Sequence, residues 1–268
     1  MPVDMAALAA DLAAESAVTR ALVVGLDEGV GSGWHTPTPA AGWDIADQIS
    51  HLAYFDEVAV RAAVHPDQFR AELPAALAGL DPDDIAARYR DRTGAQLLAW
   101  FDTARAQLID TFATLDPGKW LPWFGPDMSA ASSLTARLME TWAHTQDIAD
   151  ALDVTREPTA RLRHIAHLGV LTRGFSFVNR GQPLLETQVR IELTAPDGAV
   201  WTWGQPDAAE RVTGPALDFC LLVTQRRHRD DLALAVDGPA AQQWIAVAQA
   251  FAGPPGPGRR PTAEKDNR

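Results

Sequence analysis

The chain has 268 residues, 47% of them hydrophobic and 22% charged, which is an ordinary globular balance with enough apolar material for a core. Its formal net charge of −12 argues against a phosphate backbone as partner, because nucleic-acid binders present a basic face. The single cysteine, Cys220, excludes an internal disulfide and a thiolate-rich zinc site. Its neighbours Phe219, Leu221 and Leu222 point to a buried structural thiol.

No stretch reaches the roughly 18 apolar residues of a membrane helix. The start Met-Pro-Val-Asp lacks the basic region of a signal peptide, so a cytoplasmic location is the expectation.

Taken in order, residues 3–31 carry an Ala/Leu/Val-rich helical pattern with Leu8, Leu12, Val18, Leu22 and Val23. Residues 31–39 hold two glycines and two prolines and read as a loop. A second helix follows Trp43, with Asp44 near its N-cap and Ile45, Ile49, Leu52 and Phe55 as its apolar stripe. His51 lies on this helix, with Asp47 one turn before it. His65-Pro66 should end it, since the residue before proline is pushed out of the α region. A loosely structured stretch is expected next, containing Pro74, Gly79 and Pro82. A third long helix is expected from residues 81–84 to about 116, and an aromatic loop at 118–126. Capping residues at 129–133 open a fourth helix that runs to about Leu152 and carries Glu140 and His144. Another helix should open at Pro158 and end near Phe177.

Near residue 181 the pattern changes. Residues 187–194 alternate polar and apolar with period two, a strand, and 200–203 complete a hairpin across the turn at 196–198. A short strand near 211–213, a helix at 214–227, a strand or helix tail at 232–236 and a final helix at 240–251 follow. The expected organisation is a helical domain at 1–180, a smaller mixed α/β domain at 181–253 and a disordered tail at 254–268.

The chemistry concentrates in Glu140-Thr-Trp-Ala-His144. Residues four apart on a helix share a face, and one turn is about 5.4 Å, so a carboxylate and an imidazole at this spacing can approach one ion. The competing reading is a surface ion pair, although Met139, Trp142 and Ile148 alongside are not surface residues by type. His51 is the second histidine with an acid on its helix face. Two histidines and one carboxylate leave coordination positions open, as catalytic zinc and non-haem iron sites do. Asp47 and Asp147 would then be candidate acceptors for the rear imidazole nitrogens. His35, His65, His164, His167 and His228 sit in loops, before proline, on an amphipathic helix or in a basic run, and read as structural or solvated. Arg226-Arg-His-Arg229 is a basic island in an acidic chain: either a helix C-terminus stabilised by cations or a clamp for a carboxylate.

The segment from Trp43 through His51 to Asp56, followed by Glu140-x-x-x-His144-x-x-Asp147, resembles the metal-binding domain of the mycothiol-dependent maleylpyruvate isomerase family, within the DinB-like four-helix bundles. The C-terminal hairpin and helix resemble that family's small α/β domain. Residues 216–228 and 248–256 are similar to an actinobacterial subgroup known only as metal-binding proteins. The resemblance implies an α+β fold: a DinB-like four-helix bundle followed by the smaller α/β domain. It implies His51, Glu140 and His144 as ligands of a divalent metal, usually zinc. It also implies an arginine at the end of the C-terminal domain's helix in the active site, which is Arg226 here, with Arg227 the near alternative. The Thr-Gln-Arg-Arg-His ending replaces the family's shorter Gly-Arg, which leaves the substrate open. The implied partners are a mycothiol-like small thiol and a small electrophile, for isomerisation or S-transfer. A non-catalytic metal-binding module and a thiol-independent hydrolase are the alternatives. Related bundles often dimerise, and that likeness alone suggests a homodimer.

Overall fold

A computed structural model describes residues 3–78, 82–256 and 258–262. The chain divides into two compact units, Met1–Arg156 and Glu157–Arg268. The boundary expected near residue 181 marks where helix gives way to strand; the compact units divide earlier.

The first unit is built on four helices: α1 (Met5–Val23), α2 (Ile45–Val64), α5 (Gly94–Ala113) and α6 (Ala130–Ala151). Helix α1 packs on α5 and α6, and α2 packs on the same two, so the four close into a ring around one core. Val23, Ile45, Ile49, Leu52, Leu97, Phe101 and Ile148 meet in that core, each at most 1% exposed. Between α2 and α5 lie α3 (Pro66–Ala78) and α4 (Pro82–Ala87), and before α6 a two-residue ladder pairs β1 (Trp120–Leu121) with β2 (Met128–Ser129).

Three expectations are corrected here. Helix α1 stops at Val23, not near residue 31. Gly25, Gly31 and Gly33 all take left-handed φ, and the Asp27 carboxylate holds the turn through Gly29 N–H at 2.8 Å and the Ser32 hydroxyl at 2.9 Å. Of the stretch expected to be loose, Pro74 lies in helix α3 and Pro82 starts α4, while Gly79 lies outside the described residues; Pro66 ends α2 and also opens the next helix, where its missing N–H costs nothing. The long third helix is two helices. The chain turns at 88–93 and restarts under a capping box, in which Thr93 Oγ1 accepts from Gln96 N–H and Gln96 Oε1 accepts from Thr93 N–H.

The second unit holds α7 (Leu162–Leu171), α8 (Arg173–Val178), β3 (Val189–Thr194), β4 (Val200–Trp203), β5 (Glu210–Pro215), α9 (Ala216–Val223), β6 (Ala235–Asp237) and α10 (Pro239–Val247). Its sheet has the order β4-β3-β5-β6. The hairpin β3–β4 is antiparallel, β3–β5 parallel and β5–β6 antiparallel. The strand-or-helix ambiguity at 232–236 resolves as strand β6. Helix α9 is shorter than the expected 214–227, because Gly214 and Pro215 complete β5 and Gln225 takes a φ of 58°. Helix α7 starts four residues after Pro158, and α10 ends at Val247 rather than at 251. Of the tail expected to be disordered, residues 257 and 263–268 lie outside the described residues.

Candidate metal centre

Helix α2 is phased by its start. Asp44 caps it, accepting from Asp47 N–H at 2.9 Å, while Asp47 reaches back to Asp44 N–H at 3.2 Å. With Ile45, Ile49 and Leu52 fully buried, Gln48, His51 and Phe55 fall on the neighbouring face, three and four residues apart. That face meets α6, where Glu140 and His144 stand one turn apart.

The three residues converge. One donor atom from each of His51, Glu140 and His144 lies within 4.8 Å of the others. The Oε2 of Glu140 is 3.9 Å from His51 Nε2 and 3.2 Å from His144 Nε2. The side chains are only 12%, 21% and 10% exposed, which rules out the surface ion pair. The imidazoles lie 4.4 Å apart between aromatic walls: Trp43 at 5.3 Å from His51 and stacked on His144 at 5.9 Å, and Phe55 at 4.7 Å from His51. Phe55 in turn touches Trp123 and Phe124 of the aromatic loop, which pack on Phe69. The loop is thus part of a core cluster and one ring removed from the imidazoles.

Burial lowers the pKa of His51 to about 4, helped by the neighbouring His144 and only partly offset by Glu140. At neutral pH His51 is therefore uncharged and has one nitrogen lone pair to offer, as a metal ligand must. Burial alone would raise the Glu140 carboxyl, but hydrogen bonds from His144 and His51 outweigh it and hold Glu140 well below the usual carboxylate range. A carboxylate and two imidazoles in a site walled by aromatic rings are the donor chemistry that suits zinc and similar divalent ions.

The rear nitrogens do not find the acids expected for them. His144 Nδ1 bonds to Oε1 of Gln48, which is fully buried. Nδ1 of His51 is buried and has no hydrogen-bond partner among the described residues. Asp47 is committed elsewhere: it belongs to the α2 capping box, and Arg90 grips both its oxygens, Nε to Oδ1 at 2.9 Å and Nη2 to Oδ2 at 2.8 Å. Asp147 lies fully buried on α6. Gln48, Trp43 and Phe55 carried no signal by residue type. Their spacing from His51 on one helix face was the only available clue for Gln48 and Phe55.

Beside the cluster runs a buried ionic network. Asp56 is fully buried and accepts from Arg105 Nε at 2.6 Å and from Arg137 Nε at 3.0 Å. Arg105 Nη1 also donates to Ser16 Oγ and Thr141 Oγ1, each at 2.8 Å, and Arg137 Nη2 to the Leu52 carbonyl at 3.3 Å. The network joins α1, α2, α5 and α6, and so ties the two helices that carry the candidate ligands.

Arg226 and Arg227 lie in the second unit, in the turn after α9. Arg226 Nη1 donates to the Thr224 carbonyl at 2.7 Å and Arg227 Nη1 to the Arg226 carbonyl at 2.8 Å, so both cations serve the carbonyl-rich helix end. Cys220 is fully buried; burial pushes its thiol up, and Sγ donates to the Leu162 carbonyl at 3.4 Å. Of the remaining histidines, His35 bonds to Asp44, His167 accepts from Trp203 Nε1–H, and His228 caps a short turn. No helix among the described residues is long and apolar enough to cross a membrane.

Fold and site together define a DinB-like four-helix bundle with a smaller α/β unit, carrying a two-histidine, one-carboxylate cluster in the bundle. The family model described as the mycothiol maleylpyruvate isomerase N-terminal domain matches residues 12–149, and the chain belongs to that family. A second family model, described as wyosine base formation, matches residues 186–236 of the α/β unit. An uncharacterized protein of Mycobacterium tuberculosis, found in two strains, is 48% identical over 259 residues, covering 96% of this chain and 99% of its own. Two crystal structures of the mycothiol-dependent maleylpyruvate isomerase, one of them a histidine-to-alanine mutant, share the fold. The mutant aligns with a TM-score of 0.57 at 14% identity and the other with 0.56 at 15%, each covering 89% of this chain and 96% of that one.

Proposed function

We propose that the chain is a divalent-metal-binding enzyme that activates a small thiol, of the mycothiol kind, for isomerisation or S-transfer on a small electrophile. The observation that carries this reading is the convergence of His51, Glu140 and His144 within 4.8 Å, a cluster of three protein donors among the described residues. Three donors leave positions for an exogenous ligand, whereas a structural site is closed by a fourth. A divalent cation bound there would supply Lewis-acid charge that lowers the pKa of a coordinating thiol.

The chain's own residues have defined tasks in this scheme. Glu140 brings the one formal negative charge among the three. Gln48 holds the His144 ring through its rear nitrogen. Trp43 and Phe55 exclude water from the imidazoles, which strengthens electrostatics at the site. The thiolate sulfur would add to an electron-poor double bond, and loss of the same sulfur after rotation about that bond returns the thiol unchanged. Retention of the sulfur gives S-transfer instead. Arg226 and Arg227 are proposed to recognise a substrate or thiol carboxylate, since guanidinium pairs with carboxylate through two parallel bonds. The named solved relatives are mycothiol-dependent maleylpyruvate isomerases, and the proposal extends that reaction class, without its particular substrate, to this chain. A cytoplasmic location, a homodimer and zinc as the ion are part of the same proposal.

The test is metal analysis of the purified protein followed by calorimetric titration with thiols. Stoichiometric metal that is lost in Glu140→Ala and His144→Ala, together with thiol binding only to the loaded form, supports the proposal. Metal without any thiol binding points to a non-catalytic module. Absence of metal, with His144→Ala indistinguishable from wild type, sinks it.

A further inference from the structure

The loop before α2 is closed on itself and then reaches into the site. Ile45 N–H donates to the Thr36 carbonyl at 3.2 Å, Trp43 N–H to Ala40 at 3.0 Å, and Pro37 pairs with Asp44 as an antiparallel bridge. At its centre Thr38 donates twice to the Trp43 carbonyl, through N–H at 2.8 Å and through its hydroxyl at 2.9 Å. The same hydroxyl oxygen accepts from Gln48 Nε2 at 2.9 Å, and Gln48 Oε1 faces His144 Nδ1.

Every donor and acceptor in this series is forced by the one before it. A backbone carbonyl only accepts, so the one Thr38 hydroxyl proton points at Trp43. The Thr38 oxygen can then only accept from Gln48, which requires the amide NH₂ on that side. The amide oxygen is therefore turned to His144, and an oxygen facing Nδ1 requires a proton on Nδ1. What faces the pocket is Nε2, which lies 3.2 Å from the Glu140 carboxylate and hydrogen-bonds to it in the metal-free protein. The residue whose carbonyl starts the series, Trp43, also lays its indole against both imidazoles.

We propose that Gln48 is a positioning residue which, anchored by Thr38 and the Trp43 carbonyl, locks His144 with its proton on Nδ1 and so makes Nε2 its metal-donor atom. The inference rests on the metal reading above and deepens it. It assigns to residues 36–44 two tasks: a wall for the imidazoles and a lock on the orientation of one of them. A lock of this kind raises affinity because the ring need not be ordered when the ion arrives, and only Nε2 has to give up a hydrogen.

The experiment measures zinc affinity by chelator competition, and the imidazole nitrogens by ¹H–¹⁵N spectroscopy of zinc-free and zinc-loaded protein. In the wild type, His144 Nδ1 should carry a slowly exchanging proton in both forms. Gln48→Met should lose that protection and bind zinc about 10- to 100-fold more weakly, the range for loss of a partner behind a ligand histidine. Thr38→Val removes no contact to His144, yet it should weaken binding in the same direction because the amide is freed to turn. Gln48→Glu keeps an acceptor opposite Nδ1 and should retain affinity, a rescue that a merely space-filling role does not predict. Thr38 is half-buried and the valine is close in shape, so this variant carries the test should Gln48→Met fail to fold. Unchanged affinity in either weakened variant, or a proton on Nε2 in the zinc-loaded protein, overturns the lock. If the wild type takes up no zinc, the metal reading fails, while Nδ1 protection in the zinc-free protein still decides the lock.

Discussion

Replacing Asp56 by asparagine tests whether the bundle is held together by its buried charges. The carboxylate is fully buried and serves two guanidinium groups whose side chains are each 4% exposed. Burial pulls the Arg105 pKa down, and Asp56 is the largest influence opposing it. Asparagine keeps the shape but removes the charge, and turns an NH₂ toward one of two groups that only donate. Two buried cations then face each other without a counter-charge between them. Removing one partner of a buried ion pair costs about 3–5 kcal/mol, most of it the penalty on the charge left behind. Because both arginines share one carboxylate, their losses are coupled and do not simply double. For a unit of this size, about 2–4 °C per kcal/mol converts the loss to a fall in Tm of roughly 6–20 °C. Urea unfolding of metal-free protein, followed by near-ultraviolet circular dichroism, should show a lower midpoint at unchanged slope. A change below about 1 kcal/mol would refute the reasoning, because it would mean that the arginines find other acceptors or water and that Asp56 does not neutralise them.

The other predictions concern pH, packing and the thiol. His51 has a folded-state pKa of about 4 against an ordinary 6.5, so between these values the unfolded chain holds the extra proton; stability is complete above pH 6.5 and falls as pH drops toward 4. The full effect is about 3 kcal/mol, and the depressed Glu140 carboxyl acts in the same direction at lower pH. Urea midpoints of metal-free protein from pH 7.5 to 4.5 should decline, and His51→Ala should flatten the decline; a level wild-type profile contradicts the assignment. Gly94→Ala would place a Cβ 2.1 Å from Nε1 of the buried Trp34 indole and should cost about 1–3 kcal/mol by overpacking, read as a lowered Tm. Cys220 should resist iodoacetamide in the native protein and react on unfolding, since its thiol is buried and its pKa raised; rapid native labelling would place it in a different environment.

What could be read from the sequence divides along a physical line between local and non-local order. Glu140 and His144 were legible because a single helical turn fixes their spacing. The caps at Asp44 and Ser129 were legible for the same reason, being set by bonds that span three residues. His51 stood out locally by the acid on its helix face, but its pairing with Glu140 and His144 was carried by the family resemblance, because the α2–α6 contact is a property of the packed bundle. The break at 88–93 carries no glycine or proline, so nothing in Arg88-Tyr-Arg-Asp-Arg-Thr93 announces it to a reading based on punctuation. Pro66 was read correctly as a stop, but the same ring is equally a good first residue of a helix, and only the fold chooses.

Asp47 shows how a local rule can mislead about function. An acid four residues before a ligand histidine has the right spacing to hold the ring's rear nitrogen. The same acid is also the third residue after a capping aspartate, and a capping box sits at the helix start, where the four free N–H groups favour a carboxylate. The two duties compete for one side chain, and the cap wins because Arg90 adds two charge-assisted bonds on the same side. Nδ1 of His51 is left without a partner among the described residues, and it is the rear nitrogen of His144 that is held, by Gln48, the next residue along, whose amide can both accept from the imidazole and donate to Thr38. A carboxylate in that place could accept but not donate, so it would be held to the loop only if Thr38 turned its hydroxyl proton away from the Trp43 carbonyl. Neutral and bifunctional, the amide does for His144 what an acid was expected to do for a ring, and it adds no second negative charge beside Glu140 in a buried pocket.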